Sequence, residues 1–290
     1  CTLLFSIHPL NTEAVTWISG RKDLLFSLFY LAGLLSYYTY RKEKDIKWMV
    51  ITSVLFILSL LSKPVALTFP FVLLLIDYFE DNEFTFKKVF EKIHMILISF
   101  GFFGLGVYLV QHVDVFDKAP MGYSFIDKIS LAAYALAFYI YSSVIPYSLT
   151  NFHSYPHFQE GSLEIIYYIS PIFLLLVAYL LFRFRNSNKK ILFAFLFFLF
   201  LIGPTLRIIP TGYPIVSERY YYLASVGILF VLVKLIQNAG EKIKFNAAMS
   251  TLFLVLPLVL FFVFKTKARV KDWRNNINLW ESALEDDPTL

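Results

Sequence analysis

Cysteine is nearly absent: the 290 residues hold one, Cys1, so no internal disulfide can form and cysteine usage says nothing about redox compartment. Charge is also scarce. Asp, Glu, Lys and Arg make up 16% of the chain, against about a quarter in an ordinary soluble domain. No Walker loop, GxSxG elbow, HExxH or paired CxxC occurs. His8 has no second histidine nearby at ligand spacing, which argues against a histidine-based metal site. Strict alternation of apolar and polar residues is missing from runs such as 191–202, and without it a membrane β-barrel is excluded.

In place of charge there are apolar residues, 58% of the chain, in runs of roughly 15 to 20 residues, the length a helix needs to cross the bilayer core. Candidate spans fall at 24–40, 48–61, 65–79, 93–111, 129–148, 166–183, 191–209, 219–237 and 246–264, and residues 1–7 read as the tail of another. The expected fold is therefore all-α: a polytopic helical membrane bundle of eight or nine spans. Tyrosines gather at run ends, as in Tyr37, Tyr38, Tyr40 and Tyr220 to Tyr222, where a ring with a polar tip suits the membrane interface. The net charge of +5 sits mostly in loops. It points to orientation in the bilayer and to anionic lipid, not to nucleic acid.

The loops are of two kinds. Those at 41–47, 87–92, 183–190 and 241–244 are short and rich in Lys and Arg, and the positive-inside rule places them in the cytoplasm. Those at 8–23, 111–127, 150–164 and 211–219 carry Pro, Gly, His, Tyr and acids and fall outside. Three candidate spans between Lys92 and Arg183 break the parity, so one of them does not cross; 129–148, with Pro146 near its end, is expected to be re-entrant or interfacial. Pro64 splits 48–79 into two short halves of about 22 Å each, with a turn at Ser62, Lys63 and Pro64 that either recesses a site or lets Lys63 snorkel. The region 1–264 reads as a membrane domain. In 265–290 the stripe of Trp273, Leu279, Trp280, Ala283 and Leu284, stopped by Pro288, reads as the start of a soluble helical region.

Chemistry concentrates in the first loop. With Asn11 as N-cap after Pro9, a helix over this stretch would set Glu13, Trp17 and Gly20/Arg21 on one face. An indole suits a pyranose face, a guanidinium suits phosphate, and a carboxylate can take a hydroxyl proton. The other reading is an interfacial helix in which Glu13 meets the helix dipole, Trp17 anchors to lipid and Arg21 touches headgroups. The second concentration is Ser217, Glu218, Arg219 and Tyr220 to Tyr222, where a loop re-enters the membrane. Charges at such a depth are costly and often functional. Arg219 could hold a lipid phosphate with Glu218 orienting it, or the two could simply form an ion pair above a tyrosine belt. Arg207 is a weaker case of the same kind.

Several stretches resemble one family. His8-Pro-Leu-Asn-Thr-Glu-Ala-Val, followed by Ser-Gly-Arg21-Lys22-Asp23, is similar to a signature of the transmembrane and tetratricopeptide-repeat O-mannosyltransferases and their bacterial relatives. The stretches from Leu60 to Thr68, Ile145 to Pro156, and Ser217 to Leu223 with Ser225-Val-Gly227 resemble later motifs, in the same order. Trp273-Arg274, Leu279-Trp280, Ala283 and Pro288 resemble the junction into the repeats, with Asn276 where the repeat consensus has Ala. The resemblance implies a GT-C-type glycosyltransferase. Such an enzyme moves a sugar, mannose or another hexose, from a polyprenyl-phosphate carrier to a protein Ser/Thr or glycan hydroxyl on the extracytoplasmic side, in a bacterial inner membrane if the bacterial likeness holds.

By the same resemblance, Arg21, Lys63 and Arg219 would hold the donor phosphate. Glu13 would be a secondary acid or an orienting group, and His8, Trp17, Asp23, Glu218 and Tyr220 would support the site. The principal acid would lie upstream of residue 1. No cofactor follows directly, and the resemblance leaves a divalent metal open. The repeats beyond residue 290 would offer a surface for partners. The rival readings are a non-catalytic membrane scaffold that presents repeats, and a transporter. Polar residues clustered at one interface, with no internal repeat, disfavour the transporter.

Overall fold

The computed structural model describes residues 1–81, 83, 85–112, 123–147, 149–156, 162–184, 188–206, 214–241 and 247–286. Arg207, Pro288 and most of the loop at 111–127 lie outside these. The described residues are helical with no strand; one isolated antiparallel bridge joins His153 to Val216.

In chain order the helices are α1 (Thr2–Ile7), α2 (Thr12–Thr16), α3 (Arg21–Glu43), α4 (Ile46–Ser62), α5 (Phe69–Asp81), α6 (Phe86–Glu91), α7 (Ile93–His112), α8 (Phe125–Ser142), α9 (Ile165–Phe184), α10 (Lys189–Ile202), α11 (Tyr221–Glu241), α12 (Ala247–Asp272) and α13 (Asn276–Asp286). Short 3₁₀ turns occupy Pro9–Asn11, Ile18–Gly20, Pro64–Thr68, Gly203–Thr205 and Glu218–Tyr220. The expected spans at 24–40, 48–61, 93–111, 166–183 and 219–237 coincide with helices. The one at 65–79 begins as a 3₁₀ turn, because Pro64 cannot continue a helix from α4 and Lys63 is extended. Past residue 264, where a junction was expected, α12 runs on to Asp272. By length and composition, Ile165–Arg183 and Glu218–Glu241 are long and apolar enough to cross a membrane.

The long helices run back and forth between two ends. At one end the C-terminus of α3, the C-terminus of α5 and the start of α7 meet at Asp77. Its carboxylate accepts from Tyr37 Oη and Arg41 Nη1, both at 2.6 Å, and pairs with Lys92 Nζ at 2.7 Å. At the other end lie Arg21, Lys63, Arg219 and Arg269. Helix α8 departs from this pattern, because both its ends meet the second end of the bundle. Its last turn bonds there through Ser143 to His8 and Tyr221, and Tyr139 Oη donates to the Ser217 carbonyl. Its first turn receives Tyr168 Oη on Asp127 at 2.7 Å, from the start of α9. The capping box of Ser124 and Asp127 fixes where it begins.

The main core is an aromatic-rich cluster in which Phe69 of α5 is packed between Tyr30 of α3 and Phe56 of α4, and a smaller cluster gathers Leu4, Leu229 and Phe262. Helices α10 and α11 touch most closely at Gly227. A Cβ there would fall 2.4 Å from the Ala194 carbonyl oxygen and 3.0 Å from the Phe198 nitrogen. Both are backbone atoms, so only glycine permits this approach.

His8 ties the N-terminal segment to the bundle. Its Nδ1 accepts from the Leu10 N–H and its Nε2 donates to the Ser143 carbonyl, both at 3.3 Å. The two bonds define a neutral imidazole with the proton on Nε2. Its ring is packed edge-on to Phe262. Burial pushes its pKa down to about 4, and does the same for His153.

Two outcomes follow for stability. Gly227→Ala should separate α10 from α11 and cost about 1–3 kcal/mol, seen as a lower melting temperature. Between the ordinary histidine pKa and about 4, the unfolded chain takes up protons that the folded chain refuses. Stability should therefore fall as pH drops through that window, by about 1.4 kcal/mol per pH unit for each such histidine. His8→Gln should flatten this dependence in a melting series across pH.

Candidate functional site

The first loop does not form the continuous helix expected of it. Helix α2 ends at Thr16, Trp17 is extended at φ −74° and ψ 120°, and the 3₁₀ turn Ile18–Gly20 leads into α3. Gly20 makes the fold-back possible, since a Cβ there would lie 2.9 Å from the Ala14 carbonyl oxygen. Asn11 precedes α2 but does not cap it with its side chain; its Nδ2 donates to the Phe5 carbonyl instead. Glu13 and Trp17 therefore do not share a helix face. They converge by another route, on Arg219.

Glu13 is 1% exposed, so its charge must be met where it sits. Arg219 meets it twice. Its backbone N–H donates to Glu13 Oε2 at 2.9 Å and its Nη1 to Oε1 at 2.6 Å. The guanidinium also lies 5.0 Å from the Trp17 ring and 5.2 Å from the Tyr220 ring, within cation–π range of both. Tyr220 in turn faces a second cation: Lys63 Nζ is 4.6 Å from its ring centre. Lys63 forms a buried ion pair with Asp23, from the first turn of α3. Burial pushes the Lys63 ammonium pKa down, with Asp23 opposing that effect. The second carboxylate oxygen of Asp23 is buried without a hydrogen-bond partner.

These groups surround a small cleft, a cavity of about 10 Å³ with room for roughly one water, lined among others by Asp23, Lys63, Arg219, Tyr220 and Tyr222. Lys63 and Arg219, two of the three expected phosphate binders, share this cleft. The third, Arg21, does not line it; it is exposed, with Nε donating to the Ile18 carbonyl at 3.1 Å. His8 is engaged in packing as described. Glu218 does not pair with Arg219: both its oxygens accept from Arg269. Arg269 is not among the expected site residues, since it stands in a run of cations with no local mark of burial. Its i+3 spacing to Asp272 was the visible hint of helix. Among the described residues no three His, Cys, Asp or Glu side chains gather as a metal site.

Comparison with known proteins sets this geometry in context. The chain is 25% identical over 293 residues to protein O-mannosyl-transferase F38B6.6 of Caenorhabditis elegans, covering 99% of this chain and 41% of that protein. It is 47% identical over 60 residues to human protein O-mannosyl-transferase TMTC3, 20% of this chain and 6% of the relative. To mouse protein O-mannosyl-transferase TMTC4 it is 36% identical over 75 residues, 23% of this chain and 10% of the relative. The chain thus spans about two fifths of the length of the nematode relative. No protein-family model and no solved structure matches. Over nearly all its length, then, the chain is similar to a protein O-mannosyl-transferase, and over shorter stretches to others that bear this name.

Proposed function

We propose that this chain is the donor-binding part of a membrane glycosyltransferase that moves mannose or another hexose from a polyprenyl-phosphate carrier to a protein Ser/Thr or glycan hydroxyl. The observation that carries the reading is that Lys63 and Arg219, brought from distant parts of the chain, flank one cleft with the Tyr220 ring against both. Two cations beside aromatic faces suit a sugar joined to phosphate. The acceptor oxygen attacks the anomeric carbon, the bond from that carbon to the phosphate oxygen breaks, and the phosphate leaves with the electron pair. Lys63 and Arg219 stabilise the charge that develops on it. Trp17 and Tyr220 form the sugar platform, and Arg21 meets the donor at the rim. Of the two roles open to Glu13, orienting group is the better supported, because Arg219 occupies both its oxygens. The proton of the acceptor hydroxyl passes to a carboxylate acting as general base.

In this proposal α3, α4, α5, α7, α9, α10, α11 and α12 cross the bilayer and α8 lies along the interface, which removes the parity conflict between Lys92 and Arg183. Exposed apolar surface supports the membrane setting: α9 bears Ile165, Ile172, Leu175 and Phe182, each more than 60% exposed, a band too large for a soluble monomer. The lysine-rich Asp77 end faces the cytoplasm, and the cleft and the tetratricopeptide repeats after α13 face the other side.

The test is transfer of radiolabelled sugar from polyprenyl-phosphate donors to peptide or membrane acceptors by the purified intact protein. Arg219→Met with Glu13→Gln, which leaves no stranded carboxylate, should lower transfer by roughly 10²- to 10³-fold, the loss typical when one charge-stabilising donor is removed. Lys63→Met with Asp23→Asn, which removes both buried charges together, should do the same. Unchanged transfer in both variants would refute the assignment. No transfer by the wild-type protein with any donor would favour a scaffold that presents repeats to partners.

A further inference from the structure

The turn that carries Arg219 is gripped from two sides. Glu13 of α2 holds Arg219, and Arg269 of α12 holds the residue before it. Glu218 is wholly buried and accepts from Arg269 Nη2 on both oxygens, at 3.2 and 3.3 Å. Arg269 is 3% exposed, donates Nη1 to Asp272 at 3.3 Å, and stands 5.8 Å from the Trp273 ring. Neither Glu218 nor Arg269 lines the cleft, so the donor reading gives this pair nothing to do.

Stability does not account for it either. A buried ion pair is often no better than apolar residues of the same volume, because desolvation offsets the attraction. The bonds here are also longer than the 2.7–2.9 Å of strong charge-assisted pairs. What the pair does fix is position. It joins the last turns of α12 to the 3₁₀ turn Glu218–Tyr220, and the next two residues of that turn, Arg219 and Tyr220, line the cleft. Beyond Arg269 the chain passes through residues 273–275 into α13. A displacement of the last turns of α12 therefore bears on the cleft-lining turn directly through the Arg269–Glu218 pair.

We propose that Arg269 is a positioning residue: it locks Glu218, sets Arg219 and Tyr220 for the donor phosphate, and lets the C-terminal helices govern donor binding. The proposal rests on the donor reading of the cleft. Arg269→Gln alone would strand a buried Glu218 and could prevent folding. The informative variant is Glu218→Leu with Arg269→Met, which removes both charges and keeps the volume. In the intact protein in detergent, its melting temperature should stay within a few degrees of wild type, while its affinity for a polyprenyl phosphate falls roughly tenfold, within the range of ordinary coupling between sites. Transfer at saturating donor should change much less. Equal affinity in the folded double variant would overturn the proposal.

If the wild-type protein binds no polyprenyl phosphate, the donor reading fails by itself. The lock is then judged from Trp17, which stacks on Arg219, in a protein with Trp48, Trp273 and Trp280 changed to Phe. Altered Trp17 emission in the double variant would sustain the lock, and identical emission would overturn it.

Discussion

The double bond from Arg219 to Glu13 is the constraint on which the second end of the bundle depends. It joins residues 206 positions apart, and it cannot be loosened cheaply. Glu13 is buried, and a buried carboxylate without its partner costs several kcal/mol. The backbone N–H of Arg219 takes part as well as its guanidinium, so the grip fixes the main chain and not merely a flexible side chain. Once it is set, the placement of Trp17, Tyr220 and, across the Tyr220 ring, Lys63 follows from contact. The extended Trp17 is part of the same solution. A continuous helix from α2 into α3 would turn the indole with the helix, whereas the break after Thr16 lets the ring reach the guanidinium while α3 begins in a new direction.

This explains what the sequence could and could not disclose. Long helices such as α3, α4 and α11 were legible because apolar runs of membrane length leave the backbone no other way to satisfy its hydrogen bonds. The bounds of α8 were only partly legible: the helix begins at the Ser124–Asp127 capping box and ends at Ser142, ahead of Pro146. The charge pairing was not legible. Nothing local distinguishes Glu218 paired with its neighbour Arg219 from Glu218 paired with Arg269, 51 residues on. Adjacent residues on a turn point apart, and the buried partner is decided by which helix end arrives. The cations at 265, 267, 269 and 271 lie on α12, so they face in different directions, and one of them, Arg269, is buried.

The two ends of the bundle use buried charge differently, and the difference bears on function. At Asp77 one carboxylate receives a phenol, a guanidinium and an ammonium, and Arg41 reaches on to Asp81 at 2.7 Å. Every partner there is shared, so moving one charge leaves others unbalanced; the cluster behaves as a rivet through α3, α5 and α7. At the cleft the charges are disposed in separate pairs. Lys63 has Asp23 and the face of Tyr220, while Arg219 has Glu13 and the faces of Trp17 and Tyr220. An aromatic face attracts a cation at both ends, for Lys92 stands 5.0 Å from the Tyr37 ring. What separates the two ends is the space beside the charges. Lys92 is wholly buried against Asp77, whereas Lys63 and Arg219 both line the small cleft. Under the donor reading, that cleft is where an anion would meet two cations whose own carboxylates already hold them in place.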